Sequence, residues 1–423
     1  MTLILSHILS LHIVNIFVIQ DEQLAYHLTS IIQIIRSMNS HAMLKNKRLQ
    51  NLPLKAYLFC FLICFFGNAE SKIFGKEDRF MENWRKAFVE CVRIEALSPN
   101  IMVRNMTIFS ISVHDALNSA DKRYETLFNH QSAKIGFINP EAIIAGCGWT
   151  VSRALHPNRQ VAFKRLSSFA RKEDANQSVK SSFLHGKRVA EKVLHNRQND
   201  GASTTISYLT TDSPGQWRRT PKFYRPPEQP HWRKVRLWAL PGKQSFLPPP
   251  PPSFDSTAYA SSVSEAKTMG GKFSQLRSPE ESFIAKFWKD FSYSQTPPGH
   301  WNEIAAFVSH ASKLDLWEEA RLFALLNLAM TDAGIIAWQA KYHYHLWRPI
   351  DAIRNADEFA STRNLVNKSW SPLLETPPHP EYPSAHSCFS GAASHIMQLF
   401  FQSDRLSFRV SSDQYPGKYR RFE

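Results

Sequence analysis

Apolar residues recur at helical spacing over most of the chain. From Met81 to Ser119 they line one face, with a break at Ser98-Pro99 and a second helix running through Met106, Ile108, Phe109, Ile111, Val113 and Leu117. Residues 142–154 and 177–194 supply two more amphipathic segments joined by a basic surface stretch. After a gap the pattern resumes at 259–267, 279–290 and 300–310. The longest periodic run is Leu316 to Tyr342, and a further one extends through Cys388-Phe389 to Phe400-Phe401. Ala324, Ala329, Ala333 and Gly334 are small enough for another helix to approach the long run closely. The expected fold is therefore all-α, a helical bundle whose core elements are the helices at 101–119, 316–342 and 387–401. Residues 201–256 break the pattern, being rich in Pro, Ser and aromatics with prolines at 226–227 and 248–252, and read as a long ordered loop. The domain reading is an N-terminal bundle over 70–200, the loop over 201–256 and a second bundle over 257–423.

The first seventy residues read differently. An apolar run from Leu3 to Ile19 is interrupted by Ser6, His7, His12 and Asn15. Met43 then opens a basic stretch, Met-Leu-Lys-Asn-Lys-Arg, ahead of an apolar segment over 56–66 that ends in Gly67-Asn68-Ala69. That is the order of a secretory signal peptide, and its apolar core is too short to span a bilayer as a mature helix. Translation is expected to start at Met43, with 1–42 an upstream extension, 43–69 a signal peptide cleaved after Ala69, and the product secreted to the periplasm or outside the cell; the alternative is one long atypical leader that begins at Met1.

The net charge of +15, from 51 Lys and Arg against 36 Asp and Glu, favours acidic partners such as phosphate esters, anionic lipid or nucleic acid. At 43% hydrophobic content the chain has ample core and is no disordered tail. The five cysteines, Cys60, Cys64, Cys91, Cys147 and Cys388, contain no C-x-x-C pair, which excludes a zinc ribbon or thioredoxin motif. Within the loop Arg218, Arg219, Lys222, Arg225, Arg233, Lys234 and Arg236 alternate with Trp217, Phe223, Tyr224, Trp232 and Trp238. Such mixtures stack on single-stranded nucleic acid. In a secreted chain the better reading is a loop whose rings cover the bundle and whose cations face water, with no nucleic-acid partner.

Candidate chemistry concentrates between Lys341 and His386. Lys341 and Arg348 are seven residues apart, which on one continuous helix puts them two turns apart on nearly the same face. Pro349 is expected to stop that helix and leave Arg348 at its end. Ser384 precedes the apolar run at 388–401, so its hydroxyl and the following amides, beginning with Ala385, form a helix N-terminus suited to a tetrahedral anion. His386 sits in the same turn as an acid/base group. His343, His345, His379 and His386 offer a zinc reading, but His343 and His345 point about 200° apart on a helix and no H-E-x-x-H is present. His114-Asp115 offers a metal pair, against which stands an ordinary buried hydrogen bond.

The spacing K-x6-R-P followed by P-S-x-H, here Lys341, Arg348-Pro349 and Pro383-Ser384-Ala385-His386, resembles the vanadium-dependent haloperoxidases and their relatives, the type 2 phosphatidic acid phosphatases. Residues 320–341 are similar to the bacterial haloperoxidase-like branch, and the resemblance covers roughly residues 80–423. It implies a fold of two four-helix bundles. It also implies vanadate as cofactor, or phosphate as substrate at the same site, held by Lys341, Arg348, Ser384 and the Ala385 amide, with His386 as acid/base. The implied reaction is oxidation of halide by hydrogen peroxide; the alternatives are hydrolysis of phosphate monoesters or lipid phosphates, and anion binding without catalysis. Ala385 replaces the family's usual glycine, which matters if the turn requires a positive φ. The family's third motif, S-R-x-x-x-G-x-H, carries a further arginine and the histidine that binds vanadium or attacks phosphorus, and it does not occur before Glu423. The expectation drawn from this is a chain without its last helices and without turnover. The face of 316–342 would then lie open to a partner, a second copy of the chain among them.

Overall fold

The structure is a computed structural model that describes residues 80–129 and 137–422. The leader reading at 1–69, with Cys60 and Cys64, lies outside the described residues.

The expected helices form, with caps the sequence supplies. Helix α1 (Phe80–Ile94) packs Trp84, Phe88 and Val92 inward. Helix α2 (Pro99–Ala120) starts with Ser98 accepting from the Ile101 amide and Pro99 in its first turn. Those two residues satisfy or remove donors that a helix start leaves unpaired. Helices α3 (Pro140–Leu155) and α5 (Gln177–Asn196) flank a short α4 (Gln160–Ser167), which falls in the stretch read as surface connection. A Cβ on Gly146 would lie 2.1 Å from the Phe183 carbonyl oxygen, and one on Gly186 would lie 2.0 Å from that of Ile143. Glycine at both positions lets α3 and α5 touch backbone to backbone.

Beyond the loop come α6 (Thr257–Gly270), α7 (Pro279–Phe287), α8 (Thr296–Ala311) and the 29-residue α9 (Leu316–Tyr344). Asp315 and Glu318 close a capping box at the start of α9, the reciprocal arrangement that satisfies two orphan amides. Then follow α10 (Pro349–Arg354) and α11 (Ala385–Phe401). Helix α9 is the axis: α2, α8 and α11 all pack on it. At Gly334 a Cβ would come within 2.8 Å of the Phe389 ring and 2.9 Å of Asn100 Oδ1, so this glycine admits α11 and α2 together. Phe389, Ala393 and Met397, spaced four apart, are the residues α11 buries.

Helix α9 is covered over most of its circumference by α2, α8, α11 and the 3-10 turn at Pro230–Lys234, while Glu318, Arg321, Leu325, Ala329, Ala333 and Gln339, recurring every three to six positions, form one stripe that is not buried. The all-α expectation needs one amendment: the segment after α11 is a β-hairpin, β1 (Phe408–Ser412) with β2 (Tyr415–Phe422), antiparallel and shifted in register past Ser411. Val410 and Ser412 face inward in alternation, and Pro416-Gly417 sits where the pairing is interrupted, the usual place for both residues in a strand.

The long loop is held in place by buried polar groups. The Asp332 carboxylate on α9 accepts from the amides of Trp238, Ala239 and Leu240 at 2.8, 2.9 and 3.0 Å. Asp115 does the same for Leu127, Phe128 and Asn129, and also meets His114 Nδ1 at 3.0 Å. His114-Asp115 is thus a structural pair. Trp217, Trp232 and Trp238 are buried while Phe223 and Tyr224 stay exposed. The three tryptophans thus belong to the packing of the loop on the bundle. Cys91, Cys147 and Cys388 are free thiols.

Candidate oxyanion site

Lys341 lies in the last turn of α9 and is 1% exposed. Its Nζ donates to the carbonyls of Pro380 and Glu381, both at 2.9 Å. Burial, with the charge of Arg348 adding to it, pushes the Lys341 pKa down to about 7, against the partial support of Glu381. A buried ammonium whose hydrogen bonds go to neutral carbonyls, with a neighbouring carboxylate offsetting its burial only in part, is under-compensated, which is a state that favours an arriving anion.

Arg348 does not continue the same helix. Helix α9 ends at Tyr344, and His345 adopts a left-handed conformation with φ 53°. Trp347 then bonds through its amide to the Gly215 carbonyl at 3.0 Å, and Pro349 opens α10 with Arg348 as its N-cap residue. The proline therefore starts a helix instead of stopping one. The two cations nevertheless converge, because both reach the segment 379–381. Arg348 Nε donates to the His379 carbonyl at 2.6 Å, one terminal nitrogen to Glu381 Oε2 at 2.5 Å, and the other to His379 Nδ1 at 2.8 Å. Arginine has no acceptor, so His379 Nδ1 must accept. Burial first, then the charges of Arg348 and Lys341, hold the His379 pKa well below its ordinary value and keep the ring neutral for that role. Burial alone would raise the Glu381 carboxyl, but Arg348 and Lys341 outweigh it and hold the group ionised below the usual range.

Ser384 is the N-cap of α11, accepting from the Ser387 amide at 3.3 Å. Ala385 is the first helical residue and is not among the residues with positive φ. Alanine is accommodated there without strain, and the missing glycine costs the turn nothing. His386 follows, exposed on one side and set on the other against the carbonyls of Trp288 and Lys289. Desolvation lowers its pKa, partly offset by Asp290 and those carbonyls, while Lys341 lowers it further. Cys388, one turn beyond Ser384, feels the Lys341 charge as well.

The zinc reading is not supported. His345 leaves the helix and meets Tyr208 Oη at 2.5 Å, His343 is exposed, and His379 is committed to Arg348. No group of three potential ligands that could hold a metal ion occurs among the described residues. Sequence reasoning missed Glu381 and the role of His379. A carboxylate inside the proline-bounded segment His379-Pro380-Glu381-Tyr382-Pro383 was the available signal.

As a donor set the cluster suits a tetrahedral oxyanion. Two of the three Lys341 N–H groups are used, part of the five-donor Arg348 fork is left over, and the amides of the first α11 turn have no acceptor within their own helix. These groups fit vanadate or phosphate by charge and by donor count.

Residues 321–420 match the family model described as the VCPO second helical-bundle domain. Over 182 residues the chain is 31% identical to vanadium chloroperoxidase of Curvularia inaequalis, a match that takes in 37% of this chain and 30% of that protein. The chain thus spans under a third of this curated relative. The fold is similar to that of the first bacterial vanadium-dependent iodoperoxidase, with a TM-score of 0.70 and 26% identity over 81% of this chain and 86% of the other. It is also similar to the apo form of a bacterial vanadium-dependent chloroperoxidase, with a TM-score of 0.60 and 14% identity over 77% and 85%; that second likeness bears on fold alone. The matched second-bundle domain, the shared helical architecture and the K-x6-R-P and P-S-x-H motifs together assign the chain to the superfamily of the vanadium-dependent haloperoxidases.

Proposed function

We propose that this protein holds a tetrahedral oxyanion, vanadate in the haloperoxidase reading, through Lys341, Arg348, Ser384 and the Ala385 amide. The observation that carries the reading is the convergence of the two buried cations on one three-residue segment next to the N-terminus of α11. When bound, vanadate would supply a Lewis acid toward hydrogen peroxide, the oxidant for halide. Lys341 and Arg348 would offset the negative charge of the oxyanion, Ser384 would orient it, and His386 would pass a proton to or from a bound oxygen. Its lowered pKa leaves the imidazole largely neutral near pH 7, the form that accepts a proton first. Phosphate esters fit the same donor set and form the second reading. Residues 70–200 and 257–423 would then correspond to the two bundles, with secretion as the matching location.

Lys341 reports on this directly. Its folded pKa near 7 means that the ammonium is present below that pH and lost above it. An anion that binds the charged form must raise that pKa. Nuclear magnetic resonance of the Lys341 Cε group is expected to show titration near 7 in the free protein, moving up by about one unit or more with saturating phosphate, one unit being about 1.4 kcal/mol of interaction. A Lys341 titration that phosphate leaves unchanged would count against the assignment.

A further inference from the structure

Glu381 puts a negative charge inside a site built for anions. Its carboxylate holds one Arg348 nitrogen at 2.5 Å, while its own backbone carbonyl takes the Lys341 ammonium. Its backbone amide donates to the Leu346 carbonyl at 2.9 Å, so the residue is tied at both ends of its peptide and the side chain cannot leave the cleft by a backbone shift. Glu381 and Ser384 together line a cavity of about 260 Å³. The rest of its wall is largely apolar, including Pro251, Val263, Trp347 and Pro349, and its other hydroxyls have partners: Tyr259 Oη accepts from Trp347 Nε1, Ser262 Oγ donates to the Ala258 carbonyl and Tyr382 Oη to that of Pro249. The charged group in the cavity wall is therefore the Glu381 carboxylate, which borders the cavity on one side and holds Arg348 on the other.

A carboxylate accepts hydrogen bonds and donates none. Facing an oxyanion that carries a proton, it gains a charge-assisted O–H···O⁻ bond. Facing one fully stripped of protons, it meets a second negative charge with no hydrogen between them. Discrimination of that kind works by repelling the wrong ligand. We propose that Glu381 selects oxyanions that bear an O–H group, the acid phosphates and vanadates, and rejects fully deprotonated ones such as sulfate. This rests on the oxyanion reading above and adds to it the protonation class of the ligand.

The test is calorimetric titration of the whole chain at pH 6, where inorganic phosphate is mainly the singly charged, proton-bearing ion and sulfate carries two charges and no proton. Wild type is expected to bind phosphate about tenfold or more tightly than sulfate, in spite of the greater sulfate charge. Glu381→Gln removes the negative charge and offers an amide donor. In that variant sulfate affinity should rise about tenfold and the preference should shrink to within a few-fold. Wild type binding sulfate as well as phosphate overturns the inference and leaves the oxyanion site standing, as does an E381Q protein that keeps the full preference. Failure of wild type to bind either anion at millimolar concentration overturns both. If E381Q does not fold, the wild-type ratio and Glu381→Asp decide it, because the shorter carboxylate should weaken the preference without abolishing it.

Discussion

Replacing Arg348 by alanine lowers the affinity for phosphate or vanadate by about 10- to 150-fold, the scale of a charge-assisted hydrogen bond of roughly 1.5–3 kcal/mol. The expected size follows from where the guanidinium sits. It is 7% exposed, so water replaces it poorly, and it reaches both the His379 and the Glu381 sides of the cleft. Its loss also leaves the Glu381 carboxylate facing the site without its partner, which repels an anion further. Arg348→Lys should recover only part of the affinity, since an ammonium restores charge but lacks the planar fork. Calorimetry on folded protein, checked by circular dichroism, gives the answer. Equal affinities in wild type and R348A would remove Arg348 from the site.

Asp332→Ala is the largest stability change expected. Three backbone amides lose their acceptor at once, those of Trp238, Ala239 and Leu240, and a buried donor left unpaired costs about 1–3 kcal/mol. A loss of at least about 3 kcal/mol in denaturant unfolding is the expected result. Asp332→Asn should lose less, because its carbonyl still accepts. The consequence extends to function. The loop held by Asp332 also takes Tyr342 Oη on the Glu228 carbonyl at 2.7 Å and Tyr344 Oη on that of Pro248 at 2.6 Å, next to Lys341. Hydrogen exchange should therefore rise at residues 238–240 and along the end of α9. Unchanged protection there would show that the loop is fixed by its buried tryptophans alone.

Much of this architecture was legible because helical periodicity and caps are local. Ser98-Pro99, Asp315 with Glu318, and Ser384 each sit where a helix begins, and the three expected core helices lie within a few residues of their predicted bounds. What was not legible depends on chain reversal. Lys341 and Arg348 seemed to share a helical face, whereas a left-handed His345 ends the helix and the cations meet only because 379–381 returns between them. Proline explains part of the error: the same restriction on φ ends one helix and starts another, so Pro349 alone does not say which. The hairpin at 408–422 was missed because five- and eight-residue strands carry too few alternating positions to stand out beside helices. Asp115 and Asp332 were illegible for a different reason. A buried aspartate in an apolar helix has no sequence mark for the distant loop amides it will receive.

In the proposed site Lys341, Arg348 and the start of α11 hold one oxyanion. A crystal structure of the full chain with orthovanadate at pH 6–7, using anomalous scattering to locate vanadium, tests it most directly. The expected result is a vanadium peak with its oxygens at hydrogen-bonding distance, about 2.7–3.1 Å, from Lys341 Nζ, the Arg348 guanidinium and Ser384 Oγ. Vanadium bound only at surface lysines or arginines, with Lys341 still on the Pro380 and Glu381 carbonyls alone, would contradict it.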